Sequence, residues 1–249
     1  MKNHFIFSYA GNKRQEVEKI YENLDLSNID TIIEPFCGTS ALSYYISTLH
    51  PKKFKYILND NNKLLIELYK ILKDDKETLL FETKIDNIIK DTNFNRDIYI
   101  KLDINTLEGY FIKNRIYAIR PGFFRLNHKY KYIKLSDYPI VNFLRTENVE
   151  IRNDNALHLY KLHCDDFKTL IFLDPPYINT CNDFYRNPSI EIYEYLRNNK
   201  IEINKAYICL VLEKIPIINS LFKDSKTIKY PKIYQTTQKK TEHLMILNK

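Results

Sequence analysis

The chain has 249 residues, 44% of them hydrophobic and 28% charged, with a formal charge of +7. That length supports one large domain or two modest ones with a substantial core, and no window approaches the ~20 uninterrupted apolar residues that a membrane helix needs. Four scattered cysteines, with no Cys-x-x-Cys pair, argue against a structural zinc site or a disulfide framework, while the basic balance suits a polyanionic partner.

The N-terminus, "MKNHFIFSYAGNKR", has too short an apolar segment for a signal peptide, so an intracellular protein is expected. Residues 31–36, "TIIEPF", read as a short buried strand ending in an acid, and "CGTSALSYYISTL" follows as a helix after a glycine turn. "KYILND", residues 55–60, is a second acid-terminated strand, and "NKLLIELYKIL" is an amphipathic helix. Strand, turn, helix, strand, helix is the pattern of a parallel, doubly wound α/β sheet.

The alternation then breaks. From Lys73 to Val149 the chain is charged and tyrosine-rich: "KETLLFETKIDNIIKD" and "DINTLEGYFIKNRIYAI" read as helices, and "RPGFFRLNHKYKYIKLSDYP" as a loop or hairpin closed near Pro139. The βα pattern resumes with "VEIRND", a strand ending on Asp154, the helix "ALHLYKLH", and the strand "TLIFLDPPY". "KAYICLVL" is a further strand, and "TIKYPKIYQ" and "HLMILN" form an antiparallel pair. The economical organisation is one discontinuous domain, 1–72 plus 150–249, interrupted by an inserted module at 73–149.

Ligands of open parallel sheets bind at the carboxyl ends of the strands, near the switch in strand order. Four strands here end in an acid, Glu34, Asp60, Asp154 and Asp174, and like charges gathered in one crevice repel unless something satisfies them. A nucleoside, with ribose hydroxyls and an exocyclic amine, would do so. In Asp174-Pro175-Pro176-Tyr177 each proline fixes φ near −65° and removes an N–H, so the segment is stiff and presents carbonyls outward. One carboxylate and one fixed carbonyl form a pair of acceptors for the two hydrogens of an NH₂ group, and the tyrosine offers a flat face to a heterocycle. The amine of adenine is a poor nucleophile because its lone pair is delocalised into the ring. Holding both hydrogens favours a pyramidal nitrogen, which stabilises the transition state by preorganised hydrogen bonding.

The sequence resembles the Dam-like branch of S-adenosylmethionine-dependent DNA adenine-N6 methyltransferases. The resemblance rests on "FSYAGNK" near the N-terminus, "EPFCGTSAL" after the first strand, "LND" ending in Asp60, "IRNDNAL" around Asp154, "DPPY", and the closing strand "EHLMILN". It implies a Rossmann-like class I methyltransferase domain, mostly parallel with a C-terminal antiparallel strand, carrying an inserted helical and hairpin target-recognition region. It implies a cofactor site at Tyr9, Gly11, Asn12, Lys13, Glu34, Pro35, Phe36, Gly38, Thr39, Ser40, Asp60, Asp154 and Asn155, with Lys13 on the cofactor carboxylate and Asp60 near the ribose. It implies catalysis by Asp174, Pro175, Pro176 and Tyr177 on a flipped adenine, without a metal.

This chain departs from the family pattern at two places. Its first loop reads Gly38-Thr39-Ser40, a serine where the family has a second glycine, and its insert lacks the family's asparagines in register. The segment from Arg115 to Arg145 interleaves basic residues with seven aromatics, which suits phosphate contact plus base stacking on double-stranded DNA. The candidates there are Arg115, Arg120, Phe123, Phe124, Arg125, Lys129 and Lys131. Other readings remain open: an RNA adenine or DNA cytosine-N4 methyltransferase, or a non-catalytic DNA-binding paralogue. A restriction endonuclease partner in the same system is compatible with the enzyme reading.

Overall fold

The computed structural model describes residues 4–6, 9, 11–91, 96–116, 134–177, 190–199, 201–222, 225–233 and 240–248. In chain order the elements are α1 (Val17–Tyr21), β1 (Thr31–Glu34), α2 (Ala41–Leu49), β2 (Lys55–Asn59), α3 (Lys63–Lys73), α4 (Asp75–Lys90), α5 (Arg96–Lys101), α6 (Leu107–Ile116) and α7 (Pro139–Leu144). There follow β3 (Val149–Arg152), α8 (Ala156–His163), β4 (Thr169–Leu173), α9 (Ile190–Asn199), β5 (Tyr207–Glu213), α10 (Pro216–Leu221), β6 (Lys226–Ile233) and β7 (Lys240–Leu247).

The strands form one seven-stranded sheet in the order β3-β2-β1-β4-β5-β7-β6. β1 to β5 run parallel, while β7 pairs antiparallel with both β5 and β6. The chain winds outward through β1, β2 and β3, then returns to place β4 on the other side of β1. The switch point therefore lies between β1 and β4, directly above Glu34 and Asp174.

The central strands read as unbroken apolar runs because both faces are covered. Leu170 and Phe172 of β4, with Cys209 and Val211 of β5, face one core. Ile171 and Leu173, with Ile208, Leu210 and Leu212, face the other, where α9 packs through Ile192 and Leu196. The described part of 73–149 joins the first core. Phe81 and Ile85 of α4, Phe111 of α6 and Val141 of α7 are buried in one cluster with Ile32, Tyr56 and Leu58 of the sheet. Among the described residues, no helix is long and apolar enough to cross a membrane.

Two expectations shift. The loop or hairpin expected before Pro139 lies, over 117–133, outside the described residues, while Pro139 itself opens α7, where its missing N–H costs nothing and its fixed φ suits the turn. The helix expected from Asp103 starts at Leu107, because Thr106 accepts from Gly109 N through its hydroxyl at 3.2 Å, making it the cap. The strand expected to end on Asp154 stops at Arg152. Gly109 has no room for a side chain, since a Cβ there would stand 2.0 Å from the Asp103 carbonyl oxygen. Gly109→Ala is expected to cost ~1–3 kcal/mol by overpacking, read as a lower melting temperature and increased proteolysis within 96–116.

Candidate active site

The carboxyl edge of the sheet is built around a buried asparagine. Asn59, the last residue of β2, donates from its side-chain amide to Pro35 O at 2.9 Å and to Asp154 O at 3.0 Å, and accepts from Asp154 N at 2.7 Å. Its own carbonyl accepts from Cys37 N at 2.7 Å. One side chain thus locks the ends of β1, β2 and β3 together. Sequence reasoning passed over it in favour of Asp60, although an asparagine closing an otherwise apolar strand is itself unusual.

The loop after β1 carries two left-handed residues, Gly38 at φ 47° and Ser40 at φ 50°. A Cβ on Gly38 would lie 3.3 Å from the Tyr9 ring, so glycine is required there by both conformation and space. Ser40 adopts the left-handed conformation without being glycine, held by its amide bond to Cys37 O at 2.6 Å and by its hydroxyl against Tyr69 at 3.4 Å. From behind, the Tyr69 hydroxyl donates to Gly38 O at 2.5 Å and His4 Nε2 to Thr39 O at 2.9 Å. Tyr69 and His4 are further supports that the sequence did not reveal.

The protein itself supplies hydrogen-bond or ion-pair partners to Glu34, Asp60 and Asp174. Glu34 turns back to accept from Ser43 N of α2 at 2.8 Å. Asp60 accepts from Gly38 N and from Asn62 N, each at 2.9 Å. Asp154 is exposed, and Asn155 caps α8 by accepting from His158 N at 2.9 Å. Phe36 is half-buried against the second core, and Pro35 is buried.

Burial pushes Glu34 up to about 7, with the nearby Asp174 charge adding to the shift and the Ser43 hydrogen bonds opposing it. A carboxyl whose folded value lies above its ordinary 4.5 contributes stability below that value and loses it as pH rises through about 7. Glu34→Gln should therefore melt above the parent protein at pH 8, by an amount on the order of 2–3 kcal/mol, and level with it below pH ~4.5. Thermal melts of the cofactor-free protein across that range check this.

The N-terminal turn delivers its lysine to the catalytic strand. Asn12 N bonds Tyr9 O at 3.3 Å with Gly11 at φ 79°, and Asn12 Oδ1 accepts from Arg14 N at 2.8 Å. This turn aims Lys13 inward, where Nζ bonds Gly11 O at 3.1 Å and pairs with Asp174 Oδ2 at 2.6 Å. The two side chains are 6% and 15% exposed, so the pair is nearly dry. The structure brings Lys13, which the resemblance assigns to the cofactor carboxylate, to Asp174.

Tyr177 donates to the other oxygen of Asp174, Oδ1, at 3.2 Å, and its ring lies 5.1 Å from the Lys13 ammonium. Tyr193 of α9 occupies Pro176 O at 3.0 Å. Among the described residues no donor reaches Pro175 O. Burial pushes the Asp174 carboxyl above its ordinary value, and Lys13 beside it opposes that shift.

Of the expected DNA contacts, Arg120, Phe123, Phe124, Arg125, Lys129, Lys131 and the Arg115 side chain lie outside the described residues. Arg145, from the same basic stretch, is committed to the fold. It pairs with Asp75 at 2.5 Å and bonds Leu72 O at 3.1 Å. Of the cysteines, Cys37, Cys164 and Cys209 are free and buried, as packing residues would be.

The sheet order, the glycine loop after β1 and Asp-Pro-Pro-Tyr after β4 define the amino-methyltransferase class that the sequence resembles. The family model for D12 class N6 adenine-specific DNA methyltransferases matches residues 9–243, and the chain belongs to that family. It is 24% identical over 237 residues to the type II methyltransferase M.MjaIII of Methanocaldococcus jannaschii, across 80% of this chain and 77% of that protein. It is 23% identical over 246 residues to the type II methyltransferase M.CviBI of Paramecium bursaria Chlorella virus NC1A, across 92% of this chain and 90% of that protein.

Proposed function

We propose that the protein methylates the N6 amine of adenine in duplex DNA, with the target base rotated out of the helix onto Asp174-Pro175-Pro176-Tyr177. Family membership supports the reaction class. The observation that carries the residue roles is the arrangement at Asp174, whose Oδ2 is held by Lys13 while Oδ1, among the described residues, carries the longer bond from Tyr177, beside the Pro175 carbonyl. The amine's two hydrogens take Oδ1, in place of the Tyr177 hydroxyl, and Pro175 O. Tyr177 then offers its ring to the base.

The methyl donor is S-adenosylmethionine, whose sulfonium supplies an electrophilic methyl group. The residues fit it. Gly38 packs against the Tyr9 ring with no side chain between them, Asp60 and Asp154 stand at the neighbouring strand ends, and Phe36 supplies an apolar wall. With its hydrogens held, the nitrogen directs its lone pair outward, where it would take the methyl from a bound sulfonium as the sulfur–carbon bond breaks and the sulfur leaves as a neutral thioether. The resulting cationic nitrogen is strongly acidic, so its surplus proton leaves through Asp174 to solvent. Lys13 holds the Asp174 carboxylate in place and, by opposing the effect of burial, favours its ionised form when the amine arrives.

The segment 73–149 is the region we assign to target recognition, on the basis of its basic and aromatic sequence. The type II names of the relatives favour a restriction endonuclease acting in the same system, and a DNA substrate favours an intracellular location. The test is transfer of labelled methyl from S-adenosylmethionine to unmethylated duplex DNA, followed by digestion to nucleosides. Label in N6-methyladenine is expected; label confined to RNA substrates or to N4-methylcytosine overturns the reading.

A further inference from the structure

Behind the catalytic tetrapeptide lies a buried polar cluster that the reaction above does not use. Glu16, one turn after Lys13 and joined to it by Glu16 N to Lys13 O at 2.7 Å, is 4% exposed. Its carboxylate accepts from the Tyr230 hydroxyl at 3.0 Å and from His243 Nδ1 at 2.8 Å, and it forms an ion pair with Lys232. Burial alone would raise the Glu16 carboxyl, but the His243 hydrogen bond and the Lys13 and Lys232 charges outweigh it and hold the group at about 2. Three distant segments, the N-terminal turn, β6 and β7, thus meet on one carboxylate.

The cluster sits where it can act on the site. His243 pairs in register with Glu213 at the carboxyl end of β5, the strand next to β4. Its ring is 1% exposed and lies 5.3 Å from the Tyr177 ring at 85°, with Tyr230 on a further side at 5.7 Å. Tyr177 is therefore held by His243 and by the Lys13 ammonium, and both of these groups are tied to Glu16, one by its side chain and one by the backbone turn.

We propose that Glu16 and His243 are positioning residues, fixing the Tyr177 ring and, through the 13–16 turn, the Lys13–Asp174 pair in the geometry that the flipped base meets. The inference rests on the assignment of Tyr177 and Asp174 to the target base. Neither Glu16 nor His243 touches the reacting atoms. Their effect arises because a displacement of about 1 Å at the reacting centre costs as much as ~10²-fold in rate.

The decisive variant is His243→Asn. Its amide nitrogen stands where Nδ1 stood and keeps a donor on Glu16, while the ring beside Tyr177 is removed. Glu16→Gln is its companion, since it withdraws the charge that orients His243 and Lys232. Each is compared with the parent protein in steady-state methyl transfer to unmethylated duplex DNA, well below its melting temperature. Cofactor affinity is measured by calorimetry with S-adenosylmethionine.

For His243→Asn the expected result is a kcat lowered by roughly 10-fold or more, with the cofactor Kd and the KM for DNA within about twofold of the parent values. Glu16→Gln is expected to show the same split. An active parent protein with a His243→Asn variant of unchanged kcat overturns the inference alone. So does a kcat loss that appears only with a matching loss of cofactor affinity and of melting temperature, as a purely structural role would give. A parent protein that transfers no methyl group overturns the methyltransferase reading and this inference with it.

Discussion

Asp174→Asn is expected to lower kcat by at least ~10²-fold while leaving calorimetric S-adenosylmethionine binding within a few-fold. The reason is local. An amide has one acceptor oxygen, and the Lys13 ammonium, 2.6 Å from Asp174 in the parent protein, claims it. The NH₂ of the asparagine then faces the position that an amine hydrogen must occupy, so a donor meets a donor. An interaction that strengthens only as the nitrogen becomes pyramidal is lost, and such losses appear in kcat more than in binding. Near-parent turnover in Asp174→Asn would show that the carboxylate does not hold the amine.

Lys13→Met is expected to give the largest loss of stability among single changes at the site. Removing one partner of a buried pair leaves the other charge uncompensated at a cost of ~3–5 kcal/mol, and the residual exposure of Asp174, 15%, places this case near ~3 kcal/mol. The loss should depend on pH. Burial already pushes the Asp174 carboxyl upward, and without Lys13 that push is unopposed by its main counter-charge. A raised folded value means stability that is present in acid and lost as pH rises through it, so the deficit of Lys13→Met grows from acidic to alkaline pH. The double variant Lys13→Met with Asp174→Asn should recover most of the deficit, because no buried charge remains. Thermal melts of both variants from pH 4 to pH 8 decide the matter; a deficit that does not vary with pH would place the role of Lys13 in packing.

Much of this molecule was legible in the chain itself. Unbroken apolar runs such as Leu170 to Leu173 need a sheet covered on both faces, and helical spacing between acid-terminated strands requires parallel crossovers. Asp174-Pro175-Pro176-Tyr177 declares its stiffness locally, because proline geometry is set by the residue and not by its neighbours. Gly38 is legible for the same reason, through its conformational freedom, although the Tyr9 ring that forbids a side chain there is not.

What tertiary structure alone decided is which groups answer one another across long separations. Lys13 faces Asp174 only because the N-terminal turn folds over the end of β4, and Glu16 meets Tyr230, Lys232 and His243 across more than two hundred residues. Nothing local in the sequence marks Asn59, next to Asp60, as the residue around which β1, β2 and β3 end. Periodicity and turn chemistry act over a few residues and leave their record in the sequence. The partners of a buried polar group are chosen by the packing of whole elements, and a linear chain carries no local record of that choice.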